Sequence, residues 1–164
     1  MTLLTTPRLV IREMELSDAD FIYRLYNQPL FKKYVGDKKI TDVAAATDYI
    51  VNGPQKSYES FGFGLLLVCL KDGTPIGACG LLQRDNLPVP DLGYAIDESH
   101  YQKGYTYEAC KAVLEQYQDF SRLMAIVSFA NQASIKLLNK LGFSIIDENH
   151  KDFPDTYLLS YTRV

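Results

Sequence analysis

The segment from Asp91 to Thr106 contains the residues best suited to chemistry. An apolar strand pattern over 91–97 is followed by Glu98-Ser99-His100-Tyr101-Gln102-Lys103-Gly104-Tyr105-Thr106, and helical spacing begins near Lys103. A glycine in the first turn of a helix lets backbone N–H groups approach an anion, and the positive end of the helix dipole favours phosphate there. The segment therefore predicts a strand-to-helix phosphate cradle. A structural turn is the commoner alternative when the glycine is considered alone.

The cradle does not match the usual nucleotide motifs. The P-loop pattern GxxxxGK[ST] is absent, since no Ser or Thr follows at the required place and the upstream glycine is missing. The dinucleotide fingerprint GxGxxG is absent too, because Gly93 and Gly104 are the only nearby glycines. The sequence thus argues against ATP and NAD bound in their usual cradles.

Metal and hydrolase sites are poorly supported. Neither His100 nor His150 has a partner at HxxxH or HxxE spacing, and the cysteines form no CxxC pair. A Ser99-His100 dyad fails because adjacent side chains cannot form a nucleophile-base pair, and GxSxG is missing. We therefore expect no metal centre.

Length and charge restrict the class of protein. The chain has 164 residues, typical of one domain, so we expect a single domain over 1–164. Seventeen Lys and Arg against twenty Asp and Glu give a net charge of -3, which argues against a nucleic-acid partner. No leader-like N-terminus or long apolar run is present, so we expect a cytoplasmic protein without a membrane span. Monomer and homodimer stay open.

Periodicity predicts the elements that position the segment. Two apolar runs, 62–70 and 76–82, flank turn residues and predict an antiparallel hairpin. A helix is expected from Thr41 to Val51, where Asn52-Gly53-Pro54 should end it. The other expected elements are a strand at 8–14, helices at 18–27, 104–117 and 131–140, a short helix or loop at 29–39, and strands at 91–97, 123–129, 143–146 and 156–162. This order predicts an α+β fold with a mixed sheet flanked by helices.

Three stretches together resemble the GNAT acetyltransferase superfamily. They are Asp91-Leu92-Gly93-Tyr94-Ala95-Ile96-Asp97, Tyr101 to Ala109, and Asn131 to Phe143. The runs Thr6-Pro7-Arg8-Leu9-Val10-Ile11-Arg12 and Ile76 to Leu81 are similar to the RimJ and RimL branch of ribosomal-protein N-terminal acetyltransferases. The resemblance covers almost the whole chain. It implies a mixed, mostly antiparallel twisted sheet whose splayed central strands form an acetyl-CoA groove.

The resemblance also implies where acetyl-CoA binds. The family's pyrophosphate loop falls on Tyr101 to Thr106, and its groove strand pairs with the pantetheine arm, with a β-bulge splaying it from 123–129. An asparagine that contacts pantetheine in the family stands at Asn131. The implied cofactor-binding residues are Tyr94, Ala95, Ile96, Gln102, Lys103, Gly104, Tyr105, Thr106 and Asn131.

Two positions depart from the family pattern. Thr106 and Tyr107 are bulkier than the residues usually found in the loop. Leu138 stands where many relatives outside this branch have a tyrosine that acts as general acid toward the thiolate. That hydroxyl is absent here.

Acetyl transfer to an amine requires a base, because an amine with a pKa near 10 is almost entirely protonated at neutral pH. Asp91, at the start of the groove strand, is the first candidate and would act through water. Glu98 and Asp97 stand behind it. A solvated strand-end carboxylate is the alternative interpretation of Asp91.

Ser134 is the candidate proton donor to the departing CoA sulfur. It lies three residues after Asn131 and hence on the same helix face. A serine near a helix start is more often a surface or backbone-bonding residue, so that alternative stays open. Tyr94 and Tyr105 are further hydroxyl candidates.

We therefore predict an acetyl-CoA-dependent N-acetyltransferase that acts on a primary amine, either a protein N-terminus or a small molecule, by direct attack in a ternary complex. The alternative is a catalytically silent acyl-CoA-binding sensor or regulatory protein. Tyr23, Tyr26, Phe31 and Tyr34 could line the acceptor pocket, or simply belong to the core. Lys32-Lys33 and Lys38-Lys39 are expected to be solvated, with contact to an acidic acceptor or a CoA phosphate as the secondary interpretation.

Overall fold

The computed structural model describes residues 2–163 and places them around one eight-stranded sheet. The strands are β1 (Leu3–Thr5), β2 (Leu9–Arg12), β3 (Leu65–Leu70), β4 (Pro75–Leu82), β5 (Asp91–Ile96), β6 (Arg122–Ser128), β7 (Ser144–Asp147) and β8 (Thr156–Thr162). The α-helices are α1 (Ala19–Tyr26), α2 (Pro29–Tyr34), α3 (Val43–Ile50), α4 (Lys56–Phe61), α5 (Tyr105–Gln116) and α6 (Gln132–Leu141). Short 3-10 turns cover Leu16–Asp18 and Glu98–His100.

The sheet is mixed and mostly antiparallel, as predicted. Its strand order is β1-β2-β3-β4-β5-β6-β8-β7, and β5 with β6 is the parallel pair. The predicted hairpin is confirmed as β3 and β4. Strand β1 was not predicted, because its three residues carry no periodic pattern. It pairs with β2, and Leu4 packs against the core.

The two central strands separate almost as soon as they meet. Strands β5 and β6 share one register pair, Asp91 with Met124, and then diverge. The predicted splay is therefore confirmed. The predicted bulge is wrong for the pairing of β5 with β4, which runs without a register shift from Asp91 to Ile96. The opening arises between β5 and β6 rather than from an extra residue in β5.

The helix expected to stop at Asn52-Gly53-Pro54 continues through it. After α3 the chain forms a π-helical turn over Val51–Gln55, which leads directly into α4. Proline lacks an N–H and clashes with the preceding turn of a regular α-helix, whereas a wider π turn accommodates it. The true end of this helical stretch is Gly62, whose φ of 77° is the left-handed conformation that glycine adopts readily.

Alternating side chains of the central strands fill two cores. On β3, Leu66 and Val68 face the core that contains α5 and α6, while Leu67 and Cys69 face the core that contains α1 and α3. The helices therefore cover both faces of the sheet, as the α+β prediction requires. The three cysteines are buried and unbonded.

Candidate active site

A cavity of about 750 Å³ lies along the divergence of β5 from β6. Five residues predicted as site residues line it together: Asp91, Tyr94, Ala95, Asn131 and Ser134. Its opposite side is formed by residues of α1 to α4 and the turn between α3 and α4. One cavity thus joins the predicted cofactor groove to the predicted acceptor region.

The open edge of β5 presents backbone groups to this divergence. The N–H of Asp97 donates to Ile76 O on the β4 side, at 2.8 Å, and hydrogen-bonding directions alternate along a strand. The amides of Tyr94 and Ile96 therefore point to the other side, where β6 has diverged. These are two of the three strand residues predicted to pair with pantetheine, and unpaired strand groups of this kind suit an extended amide-containing chain.

The predicted phosphate loop has a conformation suited to anions. Gln102 and Gly104 both have left-handed φ values, 61° and 81°, and α5 starts at Tyr105 immediately afterwards. No side chain caps the helix, so its first-turn amides, which include those of Tyr105 and Thr106, have no intrahelical acceptor. The chain therefore presents uncapped N–H donors at the end of β5, which fit a diphosphate.

Arg8, near the start of the sequence, contacts this loop and holds it in place. Its guanidinium donates to Lys103 O at 2.8 Å and to Glu108 Oε1 at 2.7 Å, and lies 4.4 Å from the centroid of the Tyr105 ring. Burial acts to raise the pKa of Glu108, but hydrogen bonds from Thr6 and Arg8 outweigh it and lower that pKa. Arg8 was part of the family motif in the sequence, but its role there was not predictable because its partners lie about a hundred residues away.

Tyr94 and Ser134 meet across the cavity. The Tyr94 hydroxyl and Ser134 Oγ are hydrogen-bonded to each other, and Ser134 N donates to the side-chain oxygen of Asn131 at 3.2 Å. Asn131 is thus the N-cap of α6 and sets where Ser134 stands. Burial raises the pKa of Tyr94 well above its ordinary value, so its hydroxyl stays protonated and can donate.

Asp91 is buried, so the alternative of a solvated carboxylate is wrong. It is 2% exposed, lines the cavity, and accepts a hydrogen bond from Arg84 Nε at 3.0 Å. Burial raises the pKa of Asp91, and the Arg84 cation partly opposes that shift. A carboxylate with these two influences can act as a base. Arg84 had no predicted role.

Glu98 and Asp97 lie outside the residues that line this cavity. Glu98 accepts the N–H of Leu30 at 3.0 Å, and its own N–H donates to Gln28 Oε1. Burial acts to raise the pKa of Asp97, but hydrogen bonds from Ser99, Gln28 and His100 lower it. Both carboxylates hold the start of α2 against the 3-10 turn, so a catalytic role for either stays a prediction without a contact to support it.

The side of the cavity that is predicted to receive the acceptor is aromatic. Tyr26, Phe31 and Tyr34 line it as predicted, whereas Tyr23 does not. The Tyr26 and Phe31 rings stack at 4.4 Å, and the Tyr26 and Tyr49 hydroxyls are 2.9 Å apart. Tyr26 and Phe31 are also part of the buried core, so the core interpretation is confirmed for these two, and an acceptor role for the set stays a prediction.

The two departures from the family pattern are accommodated by packing. Leu138 is 1% exposed and belongs to the core beneath α6. The Tyr107 ring is half-buried and faces α6, where Lys140 Nζ is 4.1 Å from its centroid.

Within residues 2–163 no group of three metal-ligating side chains is found. No helix in that range is both long and apolar enough to cross a membrane.

Comparisons with known proteins define the class. The chain matches the family model of the acetyltransferase (GNAT) domain over residues 8–144. It is 32% identical over 148 residues to the uncharacterized N-acetyltransferase p20 of Bacillus licheniformis, covering 87% of this chain and 83% of that protein. The chain therefore belongs to the GNAT acetyltransferase family, and the predicted enzyme class, an N-acetyltransferase, is confirmed.

Solved structures share the fold. The acetyltransferase from Agrobacterium tumefaciens superposes with a TM-score of 0.84 at 22% identity, over 99% of this chain and 95% of that one. RimL, a ribosomal L7/L12 alpha-N-protein acetyltransferase solved in complex with coenzyme A, gives a TM-score of 0.84 at 15% identity over 98% of each chain. At these identities the likeness establishes the fold alone.

Proposed function

We propose that this protein binds acetyl-CoA between β5 and β6 and transfers its acetyl group to a primary amine by direct attack in a ternary complex. The supporting observation is that one cavity contains an open strand edge, the Tyr94–Ser134 pair and Asp91, and reaches an aromatic wall. RimL, a protein of the same fold, was solved with coenzyme A, which also favours CoA as the ligand here.

The chain's own groups suit the two ends of the co-substrate. The amides of Gln102 to Thr106 hold the diphosphate, and the backbone of Tyr94 to Ile96 pairs with the amides of pantetheine. Arg8 keeps the loop in place from outside. The thioester then lies toward the narrow end of the divergence, where Asp91 pairs with Met124.

Two groups transfer protons: Asp91 acts at the amine, and Ser134 acts at the sulfur. Asp91, through water, takes a proton from the ammonium group, and the neutral nitrogen attacks the thioester carbonyl carbon. As the C–N bond forms and the C–S bond breaks, the nitrogen loses its second proton to solvent water. Ser134, supported by Tyr94, gives a proton to the sulfur and is reprotonated from solvent, while Asp91 releases its proton to solvent. Each turnover therefore releases one free thiol, one amide and one net proton.

Two measurements test the proposal. Acetyl-CoA at a hundred times its Kd should stabilise the protein by about 2.7 kcal/mol, which corresponds to roughly 5–10 °C in Tm. Free thiol should appear only when acetyl-CoA and an amine are both present, in amounts equal to the amide formed. Stabilisation without thiol release from any amine would instead support the silent acyl-CoA-binding alternative, and no stabilisation would refute both.

A further inference from the structure

Of the three guanidinium nitrogens of Arg84, only Nε is hydrogen-bonded within residues 2–163. Its Nε donates to the buried carboxylate of Asp91, but its two η nitrogens make no hydrogen bond to any of residues 2–163. Its side chain is 37% exposed, and Arg84 lines the cavity. Asp91 therefore holds the guanidinium in place through one nitrogen while the planar pair of η nitrogens is available to a ligand.

Lys38 is a second cation on the same cavity. None of the carboxylates within residues 2–163 forms an ion pair with it. Lys38 is exposed to solvent where it lines the cavity, and its pKa is lowered by partial desolvation and then by the like charge of Arg84. Arg84 already has Asp91 as a counterion, whereas Lys38 has none among the residues that the structure describes, and both line the same cavity. An anion that reaches both would give Lys38 a partner and would accept from the free η nitrogens of Arg84.

The charges that line the cavity favour an anion. Besides Arg84 and Lys38, Lys56 lines it, while the acidic lining residues are Asp91 and Asp152. Asp91 is already engaged by Arg84, which leaves Asp152 as an exposed carboxylate. A polyamine would bring several positive charges next to the cavity cations, and repulsion between these like charges would weaken its binding.

We infer that the acceptor is an amine that also carries an anionic group, a carboxylate or a phosphate, which Arg84 and Lys38 bind beside the aromatic wall. The inference rests on the proposed function and names its substrate class. Arg84 donates from its η nitrogens in the bidentate manner that suits either anion, and Lys38 adds a point charge. Since Arg84 also touches Asp91, binding the anion there keeps the amine near the candidate base.

Matched acceptor pairs test the inference. Thiol release would be measured with L-phenylalanine against L-phenylalaninamide, L-alanine against L-alaninamide, and phosphoethanolamine against ethanolamine, with spermidine as the cationic comparator. In at least one pair the anionic member should have the higher kcat/KM, calculated per unprotonated amine, by 10-fold or more, because it gains a charge-assisted hydrogen bond. Equal or better turnover of every neutral or cationic member would overturn the inference while leaving the proposed function standing.

Substitutions of the cavity cations test where the anionic group of the acceptor binds. Lys38→Met should reduce that ratio severalfold by raising KM for the anionic member, while Lys32→Met, on the exposed side of α2 and away from the cavity lining, should not. Arg84→Lys keeps a cation beside Asp91 but removes the planar η pair, so it should lower the ratio more. If both variants leave the ratio unchanged, these cations do not bind the acceptor. Thiol release that is absent with every amine would refute the proposed function itself.

A binding measurement separates recognition from turnover. Calorimetry with N-acetyl-L-phenylalanine and its carboxamide, in the presence of coenzyme A, should give a tighter Kd for the carboxylate in the wild type. Lys38→Met should reduce the difference severalfold without changing the Kd for coenzyme A. If the carboxamide binds as tightly as the carboxylate in the wild type, the inference is wrong for carboxylates, and the phosphoethanolamine pair then decides it.

Discussion

The hydroxyls of Tyr94 on β5 and Ser134 on α6 are hydrogen-bonded to each other across the divergence of the central strands. The two residues are forty positions apart in the chain, and each is fixed by its own element, Tyr94 by the sheet and Ser134 by the N-cap at Asn131. Burial keeps Tyr94 protonated. The pair therefore places a protonated hydroxyl group at the cavity, as the proposed proton donor requires.

Ser134→Ala should lower kcat by about 100-fold, because general acid catalysis contributes on that order, and should leave the Kd for coenzyme A unchanged. Tyr94→Phe should lower kcat less, since Ser134 keeps its own O–H. The double variant should be no worse than Ser134→Ala, because the two residues act as a unit. Ser17→Ala, at an exposed serine, is the control. Multiplying losses in the double variant would contradict a shared role.

Arg8→Ala should weaken coenzyme A binding by about 10-fold, since three contacts that hold the loop are lost together, each worth on the order of 1 kcal/mol or less at a partly exposed site. Calorimetry with pantetheine, which lacks the diphosphate, should show no loss. Arg24→Ala breaks an exposed ion pair on α1 and is the matched control. Equal weakening for pantetheine would place the effect elsewhere than the loop.

The pH profile should report the Asp91–Arg84 pair. A base must be deprotonated, so kcat/KM should fall as the pH drops through the pKa of Asp91, which burial raises above its ordinary value and Arg84 holds partly down. Arg84→Gln removes that cation and should move this acid limb upward by about one pH unit. Asp91→Asn should abolish the limb.

Lys56→Gln supplies the comparison, because it removes a cavity cation that forms no ion pair within residues 2–163. Its acid limb should stay where it is in the wild type. An unmoved limb in Arg84→Gln would assign the titration to a group other than Asp91.

Leu138→Tyr should not restore a general acid. The side chain is 1% exposed within the core, so a larger polar residue should destabilise the protein by about 1–3 kcal/mol, measured by urea unfolding, with no gain in kcat. Leu138→Met, which nearly conserves volume, should cost less than about 1.5 kcal/mol. A stable Leu138→Tyr variant with higher kcat would show that the hydroxyl reaches the thioester after all.

Local patterns predicted most of the fold. The apolar runs of β3 and β4, the turn residues between them, and the periodic stripes of α1, α5 and α6 are properties of short segments, and each is confirmed. Strand β1, the π turn around Pro54 and α4 were not predicted, because contacts with neighbouring elements outweighed the local preference of their residues. Strand β1 depends on pairing with β2, and the π turn around Pro54 depends on packing that buries the proline.

The sequence by itself determined the family and the segments that carry the candidate site, because the loop after β5 and the start of α6 are local motifs of residue type and spacing. The tertiary structure decided which side chains work together. It brought Arg8 to Glu108, Tyr94 to Ser134 and Lys38 to the cavity that Arg84 lines. Such contacts join residues far apart in the chain, and they depend on strand order and helix packing, which no short stretch of sequence encodes.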